Sequence, residues 1–198
     1  MVVYCFPVGQ LLANCYLVAC EETKEAVVID PGDEGSFISE KVLELGIKPK
    51  LIVATHGHFD HLLAAEELRL NFNIPFLLHQ KDTFLIKKAV KETQLPPQAW
   101  EYIKNREKIK FGKEALTVIH TPGHTPGSLS LYNKKKNVLF CGDLLFKNGV
   151  GRTDFSYGSA EKLNSSLKKV FSLPPKTLVY PGHGEKFTLK EVVKYCQR

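Results

Sequence analysis

Between Thr55 and His61 the chain runs Thr-His-Gly-His-Phe-Asp-His, so His56, His58, Asp60 and His61 crowd into a single short stretch. Titratable groups packed that closely oppose one another's burial unless a cation holds them, and imidazole and carboxylate are the donors that zinc and similar ions take. The stretch follows Leu51 to Ala54, an apolar run that suits a buried strand, and precedes Leu62 to Phe72, whose apolar spacing is helical. Metal binding at a strand-to-helix junction is the first expectation. Positions i and i+2 of an extended segment face the same side with Cα atoms roughly 6 to 7 Å apart, so His56 and His58 can share one ion. Asp60 and His61, past the turn, point to a second position nearby.

Three later residues have comparable settings: His124 in Thr-Pro-Gly-His-Thr-Pro-Gly-Ser, Asp143 in Cys-Gly-Asp, and His183 in Pro-Gly-His-Gly. Each ends a strand-like run beside glycine, and tight turns of this composition hold a side chain in a fixed direction. Two ions about 3.5 to 4 Å apart can then share a bridging carboxylate. Asp30, in Asp-Pro-Gly-Asp, is expected to serve both as a turn residue and as a carboxylate behind the ligands. His79 and His120 end apolar runs with no other ligand beside them and are assigned to structure.

The positioning elements follow from periodicity. Val2 to Phe6, Cys15 to Ala19 and Ala26 to Asp30 suggest an opening antiparallel set of strands. Ser36 to Leu45 is helical and stops at Gly46; strand, ligand loop, helix and the strand Ile74 to Leu78 then make a βαβ unit with its chemistry at the strand's C-terminal end. Asp82 to Val90 is expected to be helical, and Lys91 to Lys110 to be a short helix over the site or a connection, with Trp100 used for packing. Ala115 to His120, Leu129 to Tyr132, Val138 to Cys141 and Thr177 to Tyr180 are strands, while Glu161 to Phe171 and Leu189 to Cys196 are helices. The order suggests two similar halves, each a small sheet with helices outside, within a single domain over residues 1–198.

Composition narrows the function classes. Hydrophobic residues make up 43% and charged residues 24% of 198, too apolar for disorder and too polar for a membrane protein. The N-terminus has no basic region before an apolar core, and five cysteines without pair spacing fit reduced thiols, so the expected location is cytoplasmic. The net charge of +6 is scattered over several elements. The expected partner is a small-molecule substrate, not a membrane or nucleic acid, and the expected state is a monomer or weak homo-oligomer.

In order and over nearly the whole chain, THGHFDH, TPGHTPGS, CGD and PGHG resemble the motifs of the metallo-β-lactamase fold superfamily. The resemblance implies an α/β fold, an αββα sandwich of two mixed β-sheets with helices on the outer faces. It implies two divalent metal ions, zinc first with iron or manganese as alternatives. His56, His58 and His124 would hold one; Asp60, His61 and His183 the other; Asp143 would bridge them, with Asp60 and Asp143 counted as catalytic. Leu63 stands where the family usually has glycine. Through NCYLV, VVIDPGD and GDLLFKNGVGRTDF the chain is most similar to glyoxalase II-like hydrolases, in a short form without their C-terminal helical region. The implied activity is hydroxyacylglutathione hydrolase-like cleavage of a small thioester by water activated at the dinuclear site. Arg152 is placed to clamp a substrate carboxylate or to pair with Asp154. The alternative is a persulfide dioxygenase, with one iron on His56, His124 and Asp143; a nucleic-acid-processing enzyme or a lactonase ranks lower.

Overall fold

The computed structural model describes residues 1–86 and 100–192. Strands β1 (Val2–Val8), β2 (Ala13–Ala19) and β3 (Glu25–Ile29) form the expected antiparallel meander. Helix α1 (Gly35–Glu44) then crosses over to β4 (Lys48–Val53), which pairs parallel with β3, and α2 (Ala65–Phe72) crosses over to the parallel β5 (Phe76–Leu78). Strand β6 (Trp100–Tyr102) completes a six-stranded mixed sheet in chain order. The second sheet has the order β14-β13-β10-β9-β8-β7. Its members are β7 (Lys108–Phe111), β8 (Glu114–His120), β9 (Leu129–Asn133), β10 (Val138–Gly142), β13 (Leu178–Pro181) and β14 (Phe187–Thr188). Between β10 and its parallel neighbour β13 run the small hairpin β11 (Leu145–Phe146) and β12 (Gly149–Val150) and helix α3 (Ala160–Phe171); α4 (Leu189–Val192) follows β14.

Alternation along the central strands builds the four layers. In β2, Cys15, Leu17 and Ala19 pack toward α1 and α2, where Ile38, Val42 and Leu68 are buried. Their neighbours Tyr16 and Val18 face the second sheet, meeting Phe111, Leu131 and Phe140 between the sheets. In β10 the parity repeats: Phe140 points inward, while Leu139 and Cys141 pack under Leu163, Leu167 and Val170 of α3. Strands buried on both faces need no polar face, which is why β2, apart from Asn14, and β10 are apolar. Each fully buried Leu, Ile or Phe contributes roughly 1.5 to 3 kcal/mol to this arrangement. The result is the expected αββα sandwich.

Local signals end the helices where the site needs them to end. Gly46, at φ 60°, closes α1 with Gly46 N–H to Leu43 O and Ile47 N–H to Val42 O, and so turns the chain into β4. Ser159 caps α3 by accepting from Lys162 N–H, and its own N–H donates to Gly123 O, fixing α3 to the loop that carries His124.

Three expectations are corrected or bounded. From Trp100 to Lys110 the chain is two short strands joined by a turn at Asn105 and Arg106: β6 pairs with β5 and β7 with β8, on different sheets, in place of a helix over the site. The two strands are only three and four residues long, too short for the alternation of Lys108–Phe111 to mark a strand by itself. Residues 87–99 of the expected helix and connection lie outside the described residues, as do 193–198 of the last helix. Asp60 and His61 sit in a 3₁₀ turn, Phe59–His61, ahead of α2. Cys5, Cys15, Cys20 and Cys141 are free thiols. Among the described residues no helix is long and apolar enough to cross a membrane.

Candidate metal centre

All seven predicted ligands converge at one end of the sandwich, carried by loops after β4, β8, β10 and β13. Two glycines make the approach possible. A Cβ on Gly182 would stand 2.1 Å from Asp143 Oδ1, and one on Gly142 would stand 2.3 Å from Thr55 Oγ1. Both backbones therefore lie where only glycine leaves room for the neighbouring side chain.

The ring nitrogens form two groups. His58 Nδ1 lies 3.0 Å from His56 Nε2 and 2.9 Å from His124 Nε2. His61 Nε2 and His183 Nε2 are 3.2 Å apart, with Asp60 Oδ2 at 3.6 and 3.3 Å from them. Asp143 lies between the groups: Oδ1 is 3.6 Å from His61 Nε2, and Oδ2 is 3.6 Å from His124 Nε2 and 3.8 Å from His183 Nε2. Its Oδ1 is buried with no hydrogen-bond partner among the described residues.

The far sides of the rings decide where their protons sit. Nδ1 of His61 faces the Asp30 carboxylate at 3.1 Å, Nδ1 of His183 faces Leu11 O at 3.0 Å, and Nδ1 of His124 faces Arg152 O at 2.8 Å. Those oxygens only accept, so each Nδ1 carries a hydrogen and, in the neutral ring, each Nε2 is bare. Thr55 spends its hydroxyl hydrogen on Asp30 Oδ2 at 2.7 Å and therefore accepts from His56 Nδ1 at 3.1 Å. With the rings neutral, four lone pairs are thus aimed inward, and an orphaned carboxylate oxygen faces them. The residues fit two cations: one on His56, His58 and His124, the other on Asp60, His61 and His183, with Asp143 facing both.

The electrostatics agree. Burial, reinforced by neighbouring imidazoles, holds His56 well below the usual histidine range, and burial with His124 carries His58 down to about 3. In the other group burial opposes a charge on His61, but Asp143, Asp30 and Asp60 outweigh it and lift the ring to about 9. The Asp60 hydrogen bond lifts His183 despite burial. Burial pushes Asp60 up, and His183 and His61 overcome it to leave the carboxyl below its ordinary value. His56 and His58 of the first position are held as neutral donors; the second position attracts positive charge strongly.

Supporting residues complete the site. Asp30, at φ 51°, is both turn residue and buried carboxylate, accepting from Thr55 N–H at 2.6 Å as well as from Thr55 Oγ1 and His61. Asp82, missed in the sequence, accepts from Gly57 N–H, Thr125 Oγ1 and Gly127 N–H at 2.9, 2.6 and 2.6 Å, joining the two ligand loops. Arg152 pairs with both oxygens of Asp154 at 2.7 Å, lies 4.4 Å over the Phe155 ring, and also borders the cleft. Tyr157, likewise missed, places its hydroxyl 2.9 Å from His58 Nε2. Leu63 lines a neighbouring depression and displaces no ligand. His79 and His120, assigned to structure, lie apart from the ligands and stack at 4.4 Å with a 4° interplanar angle. A cleft of about 440 Å³ opens over the ligands and is walled by Leu11, Phe59, Leu85, Phe155 and Tyr157.

An αββα sandwich with two donor groups at one edge defines a metal-dependent hydrolase fold. The profile of the metallo-beta-lactamase superfamily matches residues 8–183, and the chain belongs to that family. It is 35% identical over 194 residues to "Hydroxyacylglutathione hydrolase GloC" of Haemophilus influenzae, covering 92% of this chain and 91% of that protein. Among solved structures it is similar to BLEG-1 B3 metallo-beta-lactamase, with a TM-score of 0.88 and 32% identity over 99% of this chain and 98% of that one. TTHA1623 in a di-iron-bound form gives a TM-score of 0.86 and 36% identity over 97% and 98%.

Proposed function

We propose that the protein hydrolyses a small thioester of the hydroxyacylglutathione class, using two divalent cations held by the seven converging residues. The observation that carries this reading is Asp143, whose two carboxylate oxygens face the two donor groups at the floor of the cleft. A cation pair there would supply a nucleophile from water at neutral pH and polarise an acyl carbonyl. The chain's own residues do the rest. Asp60, held ionised by His183 and His61, keeps the second position anionic. Arg152 stands at the rim where a carboxylate on the thiol portion can replace Asp154, since that pair is solvent-exposed and weak. The apolar wall of Leu11, Phe59 and Phe155 shields the acyl group from bulk water. A thiolate leaves without needing a proton, so the cleft requires no separate acid.

A single iron on His56, His124 and Asp143, as in the dioxygenase alternative, would leave Asp60, His61 and His183 converged on nothing; their convergence supports the two-ion reading. Zinc is the proposed metal, and the di-iron form of TTHA1623 keeps iron in view. We place the protein in the cytoplasm as a monomer or weak homo-oligomer acting on a free small molecule.

The test is elemental analysis of protein purified without added metal, followed by S-lactoylglutathione, glutathione persulfide with an oxygen electrode, and a β-lactam. Two metals per chain and thioester hydrolysis are expected, both reduced in Asp143→Ala. Oxygen uptake on the persulfide without thioester cleavage would overturn the proposal.

A further inference from the structure

Of the five ligand imidazoles, four have their tautomer fixed on the far side by a group that can only accept: Asp30 for His61, Leu11 O for His183, Arg152 O for His124 and the committed Thr55 hydroxyl for His56. His58 is different. Its remote Nε2 meets the Tyr157 hydroxyl, 2.9 Å away, and a phenol can donate or accept.

Two hydrogen arrangements satisfy this contact. With a hydrogen on His58 Nδ1, that atom donates among the bare His56 and His124 nitrogens, Nε2 is bare, and Tyr157 O–H donates to it. With a cation at the first position Nδ1 must be bare, so the hydrogen moves to Nε2 and is donated to the phenol oxygen. The Tyr157 hydrogen is then released from His58. His58 stays neutral throughout, losing one proton to water at Nδ1 and gaining one at Nε2. Tyr157 is half-buried on the cleft wall, held by a stacked Phe155 at 5.2 Å and the edge of Phe84 at 5.3 Å, so its released hydrogen turns into the cleft.

We propose that Tyr157 is the positioning residue that holds His58 in either tautomer, accepting from Nε2 when the first metal position is loaded, and that loading frees its hydroxyl to donate to a carbonyl or carboxylate oxygen of the substrate. Substrate recognition is thereby tied to metal loading through one hydrogen bond. The donor half rests on the thioester reading; the tautomer half stands without it.

The experiment compares wild type with Tyr157→Phe, which keeps the ring and its stacking. Zinc titration against a chromophoric chelator should show the His56, His58 and His124 position weakened about 10- to 100-fold, the usual consequence of losing a hydrogen-bond partner behind a metal ligand. The Asp60, His61 and His183 position should keep its affinity. Nitrogen-15 spectra of imidazole-labelled wild type should show the His58 hydrogen pass from Nδ1 to Nε2 on zinc addition. At saturating zinc the variant's KM for the thioester should rise about 3- to 10-fold with kcat held, as for loss of one neutral hydrogen bond made equally in ground and transition states. Wild-type zinc affinity in the variant, or no change of nitrogen on loading, overturns the tautomer half. An unchanged KM overturns the donor half. Wild type that turns over no thioester counts against the proposed function and leaves the zinc and nitrogen-15 results to decide the tautomer.

Discussion

Asp82 is fully buried, and it accepts hydrogen bonds from both loops that build the first metal position. Burial pushes its carboxyl upward, while Thr125, Gly57 and Gly127 pull it back by donating. Asparagine is nearly the same shape, but it offers one acceptor oxygen where the aspartate offers two, and its NH₂ would have to face a donor. Asp82→Asn is expected to lose about 1 to 3 kcal/mol, the cost of leaving buried donors unpaired. It should also weaken zinc at the first position, because Gly57 lies between His56 and His58 and Thr125 follows His124. Denaturant melts and the zinc titration check both; a variant that matched wild type in each would remove Asp82 from the site. The seven converging residues were legible because a period of two put His56 and His58 on one side, because Asp60 and His61 follow them directly past the turn, and because turn glycines flank His124, Asp143 and His183. Asp82 and Tyr157 were not, since the groups they serve are 43 and 99 residues away in Thr125 and His58, and sequence spacing carries no trace of such contacts.

At the level of elements, His79 and His120 are a joint between the sheets. One follows β5 of the first sheet, the other ends β8 of the second, and the rings stack. His120 Nε2 donates to Pro126 O in the loop that presents His124, and His79 Nδ1 accepts from Lys81 N–H next to Asp82. Burial holds both rings below the ordinary value; His120 and Lys81 add to it for His79, which lies at about 4, and for His120 the Pro126 bond works the other way while nearby lysines add to the burial. Both folded pKa values lie below the unfolded value, near 6.5. Between about 4 and 6.5 the unfolded chain binds more protons, so the stability these rings contribute is present above that window and is lost as pH falls through it. Metal-free protein should therefore melt progressively lower from pH 6.5 toward 4, and His79→Phe, which keeps a ring against His120 but cannot take a proton, should show a shallower slope. Parallel slopes would mean that the stack does not report on pH. The sequence assigned these two histidines to structure because no ligand stood beside them. It could not show that they touch, since strand pairing across two sheets is set by tertiary packing. The same limit hid β6 and β7, three and four residues long, whose partners lie on different sheets.

Across the whole molecule, the centre joins two sheets that otherwise meet through an apolar layer. His56, His58, Asp60 and His61 follow β4 of the first sheet; His124, Asp143 and His183 follow β8, β10 and β13 of the second. Polar ties also cross nearby, among them Asn14 Nδ2 to Pro181 O and Gly184 O, and Tyr16 OH to Pro181 O. The chain order of motifs pointed to this fold, and the alternation of β2 and β10 explains it, yet neither spacing nor composition measures how much the cations add. Linkage does: free metal at 100 times its dissociation constant adds about 2.7 kcal/mol if it binds only the folded state. For a domain of this size each kcal/mol moves Tm by roughly 2 to 4 °C, so zinc at that excess should raise Tm by about 5 to 11 °C over chelated protein for each of the two positions it fills. His183→Ala removes a second-sheet donor while leaving the first position's three imidazoles intact, and should keep only part of that rise. Equal melting temperatures with zinc and with chelator would show that the two sheets gain no stability from sharing the ions.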